Sequence, residues 1–369
     1  MILKNGKVLT GDFTFRQTDI VIEDGVILSV GHTDAPGQEL NGAYVVPGLV
    51  DIHTHGFGGF DYLDGTPEAT ATIRRTMAEK GTTSLLATVM TQSRETMRQA
   101  CANVAACAGT GEGAHIRGIY LEGPFFSDAY KGAQHPDYIC DPDPAFFAEL
   151  QAASGDRVKI VSLAPERAGA LDFIRDLEGV RAFIGHTDAD YDTAAAAIEA
   201  GACGLTHTFN GMRGLHHRTP NALGAALTAD GVYCECICDG YHVHPAMVKL
   251  LYQAVGRERF AVISDSLRPG GLPDGEYTSG GQPVTIKDGL ARLHNGTIAG
   301  SSTWLLQEVR NLVNWGILTL EDAVYAASAV PAKAAGIFDR VGSIAPGKAA
   351  DLLVLSQELE LKQVLLGAE

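Results

Sequence analysis

Positive charge is scarce in this chain. Its 369 residues carry 28 lysines and arginines against 44 aspartates and glutamates, a formal net charge of −16. An acidic surface of that size repels phosphate backbones and anionic headgroups, which argues against nucleic acid or a membrane as partner. An anionic small molecule would need a local cluster of cations to hold it. Cysteine is sparse as well: there are seven, an odd number and scattered. They suggest no disulfide framework and fit a reducing, cytoplasmic setting. No apolar run reaches the ~18 residues that a membrane-spanning helix requires, and the opening MILKNGKVLTGDF lacks the apolar core of a signal peptide. There is no low-complexity segment and no repeat of fixed period. A GxSxG nucleophile turn and a Walker-type phosphate loop are both missing, which excludes the common serine-hydrolase and nucleotide-binding readings.

What is present is apolar material in short, regular pieces. Hydrophobic residues make up 46% of the chain and charged residues 20%, enough for a large buried core. Residues 1–44 alternate apolar and polar around Asn-Gly and Asp-Gly turns, as in ILKNGKVLT and DIVIEDGVILSVG, and the C-terminal VGSIAPGKAADLLVLSQELELKQVLLG looks alike. The two ends are expected to pair into one small β-domain, a sandwich of residues 1–47 and 339–369.

Between them the pattern becomes strand, loop, helix, repeated over 48–338. Candidate strands are Gly48–His53, Thr83–Met90, Ile116–Glu122, Lys159–Ala164, Ala182–His186, Gly204–Thr208, Tyr233–Asp239 and Phe260–Asp265. Near-continuous apolar strands suit a parallel sheet buried on both faces. Helix signals lie between them: Thr66-Pro67-Glu68 as cap, first-turn proline and first-turn acid, Ala189–Ala200 followed by Gly201, and a late helix opening at Thr319. Eight such units predict a closed (β/α)₈ TIM barrel, an α/β fold that often exceeds ~250 residues as one domain.

The ends of those strands carry the chemistry. The first ends in His53 and His55, the third in Glu122, the fifth in His186, the sixth in His207 and the eighth in Asp265. In a (β/α)₈ barrel the C-terminal strand ends share one face, which carries the active site. His53 and His55, two apart on a strand, point to one side. Any one of these groups could be structural. Six of them gathered without a common purpose would be a heavy load of buried polar atoms, so a metal site is predicted. Imidazole and carboxylate donors suit zinc or iron. Cys234, Cys236 and Cys238 in YCECICDG alternate along the seventh strand and read as core packing. The segment RGLHHRTPN offers Arg213, His216, His217 and Arg218 as a cationic patch, and Arg268 is a further loop cation.

The motifs PGLVDIHTHG, LEGPF, GHTDA, THTFNGM, DGYHVHP and ISDS, closed by PGKAADLLVL, resemble the amidohydrolase superfamily over essentially the whole chain. LEGPF with KGAQHP, and THTFNGM with HHRTPNALG, resemble more closely its N-acetylglucosamine-6-phosphate deacetylase branch. That resemblance implies hydrolysis of the acetamide of a phosphorylated amino sugar. It implies Glu122, His186 and His207 as principal metal ligands, His53 and His55 at a second metal position, and Asp265 as the catalytic aspartate. The cofactor would be one or two divalent ions, zinc first and iron second. Asn210, Gly211, His242 and Arg218 would meet the sugar phosphate, the arginine reaching across a homodimer, and Gln134 would lie near the acetyl carbonyl, with His135 as its alternative. Thr219 departs from the glutamate usual after that arginine. Strand four, VSLAPE, has no lysine at its end to bridge two metals, which leaves Glu122 as the bridging or principal carboxylate. Another N-acetylhexosamine, with or without phosphate, such as the galactosamine epimer, is the alternative substrate.

Overall fold

The computed structural model describes residues 1–368. Its centre is a parallel eight-stranded sheet whose strands follow one another in chain order. They are Leu49–Thr54, Thr82–Met90, His115–Glu122, Val158–Leu163, Arg181–Ile184, Gly204–Leu205, Tyr233–Cys236 and Phe260–Val262. The last strand returns to the first through a bridge between Thr54 and Ser266, where Asp265 N–H donates to His53 O at 2.9 Å and His55 N–H to Ser266 O at 2.8 Å. The sheet is therefore a closed (β/α)₈ barrel. The last strands are shorter than expected because the chain leaves the ladder early. His186, His207 and Asp265 adopt positive φ of 45°, 26° and 46°, so these strands end in left-handed turns rather than running on.

Several helices start where side chains satisfy free backbone N–H groups. Thr66 accepts from Ala69 N–H to open Pro67–Ala78, Asp190 accepts from Thr193 N–H to open Tyr191–Ala200, and Thr319 accepts from Asp322 N–H to open Leu320–Ala334. Their apolar faces and the outer face of the barrel share one large core. Among the described residues, no helix is long and apolar enough to cross a membrane.

The two chain ends meet in a separate seven-stranded sheet. Leu352–Leu355 runs antiparallel to Tyr44–Pro47. The far edge strand, Val26–Val30, curls back onto the C-terminal segment, where Ile27 N–H donates to Lys348 O at 2.9 Å and Ala350 N–H to Gly25 O at 2.8 Å. The two halves enclose a small core that includes Leu3, Val8, Ile20, Val45, Leu352 and Val354.

A third sheet was not anticipated. Gly275–Ser279, Gln282–Lys287 and Leu290–Leu293 form an antiparallel meander after the last barrel strand. Val284, Ile286, Ala291 and Leu293 on its inner face cluster with Leu267 and Ala299, and this packing presses the meander over the mouth of the barrel.

Candidate metal centre and active site

At the C-terminal end of the barrel six buried side chains converge in two groups, Glu122 with His186 and His207, and His53 with His55 and Asp265. Within each group the candidate ligand atoms all lie within 4.8 Å of one another. Glu122 belongs to both in reach. Its Oε1 is 3.1 Å from the Nε2 of His186 and of His207, and its Oε2 is 3.2 Å from His55 Nε2. Asp265 Oδ1 lies 3.2 Å from His55 Nε2 and 3.6 Å from His53 Nε2.

The hydrogen bonds on the far side of the rings decide what the near side offers. His186 Nδ1 lies 2.9 Å from Tyr130 O, and His207 Nδ1 lies 3.2 Å from Asn210 O. A carbonyl oxygen only accepts, so each Nδ1 carries a proton and a neutral ring presents the lone pair of Nε2 inward. Those two Nε2 atoms are 3.1 Å apart and both face Glu122 Oε1. Three electron pairs brought that close repel one another until a cation sits among them. A nitrogen and oxygen donor set of this kind fits zinc or iron.

The surrounding charges agree with that reading. Burial works against a charge on Glu122, but His55 beside it outweighs that cost and holds its carboxyl well below the usual range. Burial likewise opposes Asp265, and His53 and His55 outweigh it, so the carboxylate form is favoured. Burial opposes protonation of His53, yet the carboxylates of Glu235, Asp265 and Glu122 hold its pKa up at about 9. Three of the six groups sit on left-handed backbone, a conformation that costs non-glycine residues energy and recurs at functional sites.

Five of the six candidate ligands, all but the fully buried His53, form the floor of a cavity of about 180 Å³. Gln134, Asn210, Gly211 and His242 line it too, with Met90, Leu267 and residues of the meander as apolar walls. Gln134 is held at both ends of its amide: Thr91 N–H donates to its Oε1 at 3.1 Å, and its Nε2 donates to Glu122 Oε2 at 2.6 Å. His242 Nδ1 lies 2.7 Å from Asp239 Oδ2 and its Nε2 lies 2.8 Å from Ala299 O. Both partners are acceptors, which makes this ring a cation in an acidic protein. Burial opposes its charge, but Asp239 raises the pKa above the ordinary histidine value. Gly211 has φ +62°, and a Cβ there would come within 2.9 Å of His186 Nδ1, so glycine allows the loop to lie against that ring.

A profile of the amidohydrolase family matches residues 44–367. The chain belongs to the amidohydrolase family. N-acetylglucosamine-6-phosphate deacetylase of Vibrio furnissii is 38% identical over 357 residues, spanning 94% of this chain and 89% of that one. N-acetylgalactosamine-6-phosphate deacetylase of Escherichia coli O157:H7 is 36% identical, spanning 98% and 97%. A solved structure of the Mycobacterium smegmatis N-acetyl-D-glucosamine-6-phosphate deacetylase, in complex with N-acetyl-D-glucosamine-6-phosphate, superposes with a TM-score of 0.93. It is 36% identical and covers 99% of this chain and 97% of that chain.

Not every residue singled out in the amidohydrolase sequence reaches the cavity. Arg218 is exposed, lies outside the cavity lining and touches its neighbour His217 at 2.8 Å. Arg213 is engaged by Asp188, and Arg268 by Asp64 and Gly59 O. His135 turns away: its Nδ1 accepts from Asp137 N–H and its ring packs on Tyr138. Cys234, Cys236 and Cys238 are buried in the main core. Sequence reasoning missed two features of the site. One is the meander, whose Ser279, Val284 and Leu293 wall the cavity. The other is Glu235, a fully buried carboxylate bonded to His53. It lay between the cysteines of YCECICDG, where a lone acid in an apolar strand was the available signal.

Proposed function

We propose that this amidohydrolase hydrolyses the acetamide of N-acetyl-D-glucosamine 6-phosphate, giving glucosamine 6-phosphate and acetate. The observation that carries this reading is the convergence of Glu122, His186, His207, His55 and Asp265 on the floor of one cavity, with His53 fully buried beside them. Relatives of that activity span nearly the whole chain. Glu122, His186 and His207 would hold one divalent ion, and His53, His55 and Asp265 a second. Zinc suits the donor set best and iron next. When bound, such a cation acts as a Lewis acid and makes water acidic enough to lose a proton near neutral pH.

The chain's own groups then divide the work. Asp265, held ionised by its two histidines, takes the proton from the attacking water and returns it to the departing amine nitrogen. Gln134 spends one amide N–H on Glu122 and turns the other to the carbonyl oxygen, where negative charge develops. The His242 cation and the Asn210–Gly211 loop bind the phosphorylated sugar. The chain acts as a homodimer in which Arg218 reaches the neighbouring cavity, since in its own subunit it lies outside the lining. The seven unpaired cysteines support a cytoplasmic setting.

Acetate release from N-acetylglucosamine 6-phosphate, measured with metal content on one sample, tests this reading. No release from metal-loaded protein would sink it. A second reading, the galactosamine epimer as substrate, rests on the relative 36% identical over 98% of the chain, and the same assay run on both epimers separates the two. Arg218→Ala should raise KM for the phosphorylated sugar about 10–100-fold, the ~1.5–3 kcal/mol of a charged hydrogen bond. Hydrolysis of the unphosphorylated sugar should hardly change, and equal effects on both would remove Arg218 from phosphate recognition.

A further inference from the structure

Glu235 sits in the seventh barrel strand, Tyr233–Cys236, and is fully buried. One of its oxygens serves both ligand groups. Oε2 accepts from His53 Nδ1 at 3.1 Å and from the backbone N–H of His207 at 3.0 Å. Its own carbonyl accepts from Thr208 N–H at 2.8 Å. The other carboxylate oxygen, Oε1, has no hydrogen-bond partner among the described residues. A buried carboxylate with one oxygen unsatisfied is a poor choice for packing alone, and Ile237, two residues on, packs in the inner cluster with Tyr120 and Phe183 as an ordinary apolar side chain. The bond to Nδ1 sets the tautomer of His53 and aims Nε2 at Glu122 Oε1 and Asp265 Oδ1, 3.6 Å from each. Tyr120, with its ring centroid 4.6 Å away, holds the ring from the side. The second bond fixes the backbone of His207 where φ is 26°.

We propose that Glu235 is a positioning residue that ties the two metal groups into one unit, fixing His53 in one and His207 in the other. This rests on the metal-site reading above and goes beyond it by coupling the two positions. Partners of metal-bound histidines commonly change metal affinity 10–100-fold when removed. The carboxylate here holds the ring of one such histidine, His53, and the backbone N–H of another, His207, so both positions should respond to one substitution.

Zinc titration of metal-free protein against a competing chelator, with metal content, tests the tie in wild type, Glu235→Gln and Glu235→Asp. Melting of the metal-free forms and the visible spectrum of the cobalt-loaded forms complete the comparison. In Glu235→Gln, affinity should fall about 10–100-fold at both positions and the cobalt spectrum should change, while the metal-free melting temperature stays near wild type. Glu235→Asp keeps the charge but shortens the arm, and should weaken binding as well. Unchanged zinc affinity would overturn the proposal, and so would loss at one position only. Metal loss matched by an equal collapse of the metal-free fold, or failure of both variants to fold, would assign Glu235 to structure instead. A wild-type protein that binds no zinc would overturn the metal reading itself, and none of these measurements depends on the substrate.

Discussion

The two ligand groups at the barrel mouth are built by different means. Glu122, His186 and His207 come from three strands, and both imidazoles are pinned by backbone carbonyls of Tyr130 and Asn210. His53, His55 and Asp265 come from the seam where the last strand meets the first. There His53 is pinned by a side-chain carboxylate, and His55 Nδ1 has no hydrogen-bond partner among the described residues. Backbone carbonyls cannot be titrated or withdrawn without disturbing the barrel. The difference teaches that the first group is a rigidly held donor set, whereas the second is adjustable and depends on its neighbours for orientation.

The largest effect should come from erasing the difference. Glu122 reaches both groups, so Glu122→Gln should empty both and lower kcat/KM by about 10⁴-fold or more, the several kcal/mol that a metal ion contributes. Metal analysis should show neither ion, and retention of one would mean that Glu122 serves a single position. Asp265→Asn should sharpen the contrast instead. We expect kcat to fall about 10²–10⁴-fold, the usual worth of a positioned acid–base group, while the Glu122 group keeps its metal. Turnover that survives the change would take the proton role away from Asp265.

Acidity should separate the groups next. His53 without metal has its pKa raised from 6.5 to about 9. A raised folded value means that the stabilisation is fully present below 6.5 and is lost as pH rises through about 9. The metal-free protein should therefore lose on the order of 1–3 kcal/mol over that window, and His53→Gln should flatten the trend in chemical denaturation. Metal binding needs the neutral ring, so its affinity has the opposite slope. On lowering pH, dialysis should remove metal from the His53 group first, and simultaneous loss from both would contradict the contrast. The smallest effect belongs to Gly211→Ala. With φ +62° and a Cβ contact of 2.9 Å to His186, it should cost about 1–2 kcal/mol of stability and weaken zinc at the Glu122 group alone.

Much of this site could be read in one dimension. Each ligand ends an apolar strand, and a buried carboxylate or imidazole at a strand end needs a reason that packing does not supply. His53 and His55 sit two apart in one motif, whereas the rings held by the backbone itself are His186 and His207. Nothing local marks that difference, because the carbonyls of Tyr130 and Asn210 come from loops whose course the sequence pattern leaves open. The meander at 275–293 escaped for a related reason. Its strands are short and half polar, and only contact with Leu267 and Ala299 makes an inner face of Val284 and Leu293. Glu235 was hidden by the cysteines on either side of it.

By itself, the sequence determined the eight apolar strands, the caps that start the helices and the residue types at the strand ends. These depend on local periodicity and on hydrogen bonds to near neighbours, which spacing reveals. The tertiary structure alone decided which atoms of those residues face one another. Closing the first strand on the last brings Asp265 to His55, and the left-handed turns at His186 and His207 bring two lone pairs to one carboxylate oxygen. Convergence of that kind is a property of the closed barrel, whose strands are far apart along the chain, so no stretch of the sequence contains it.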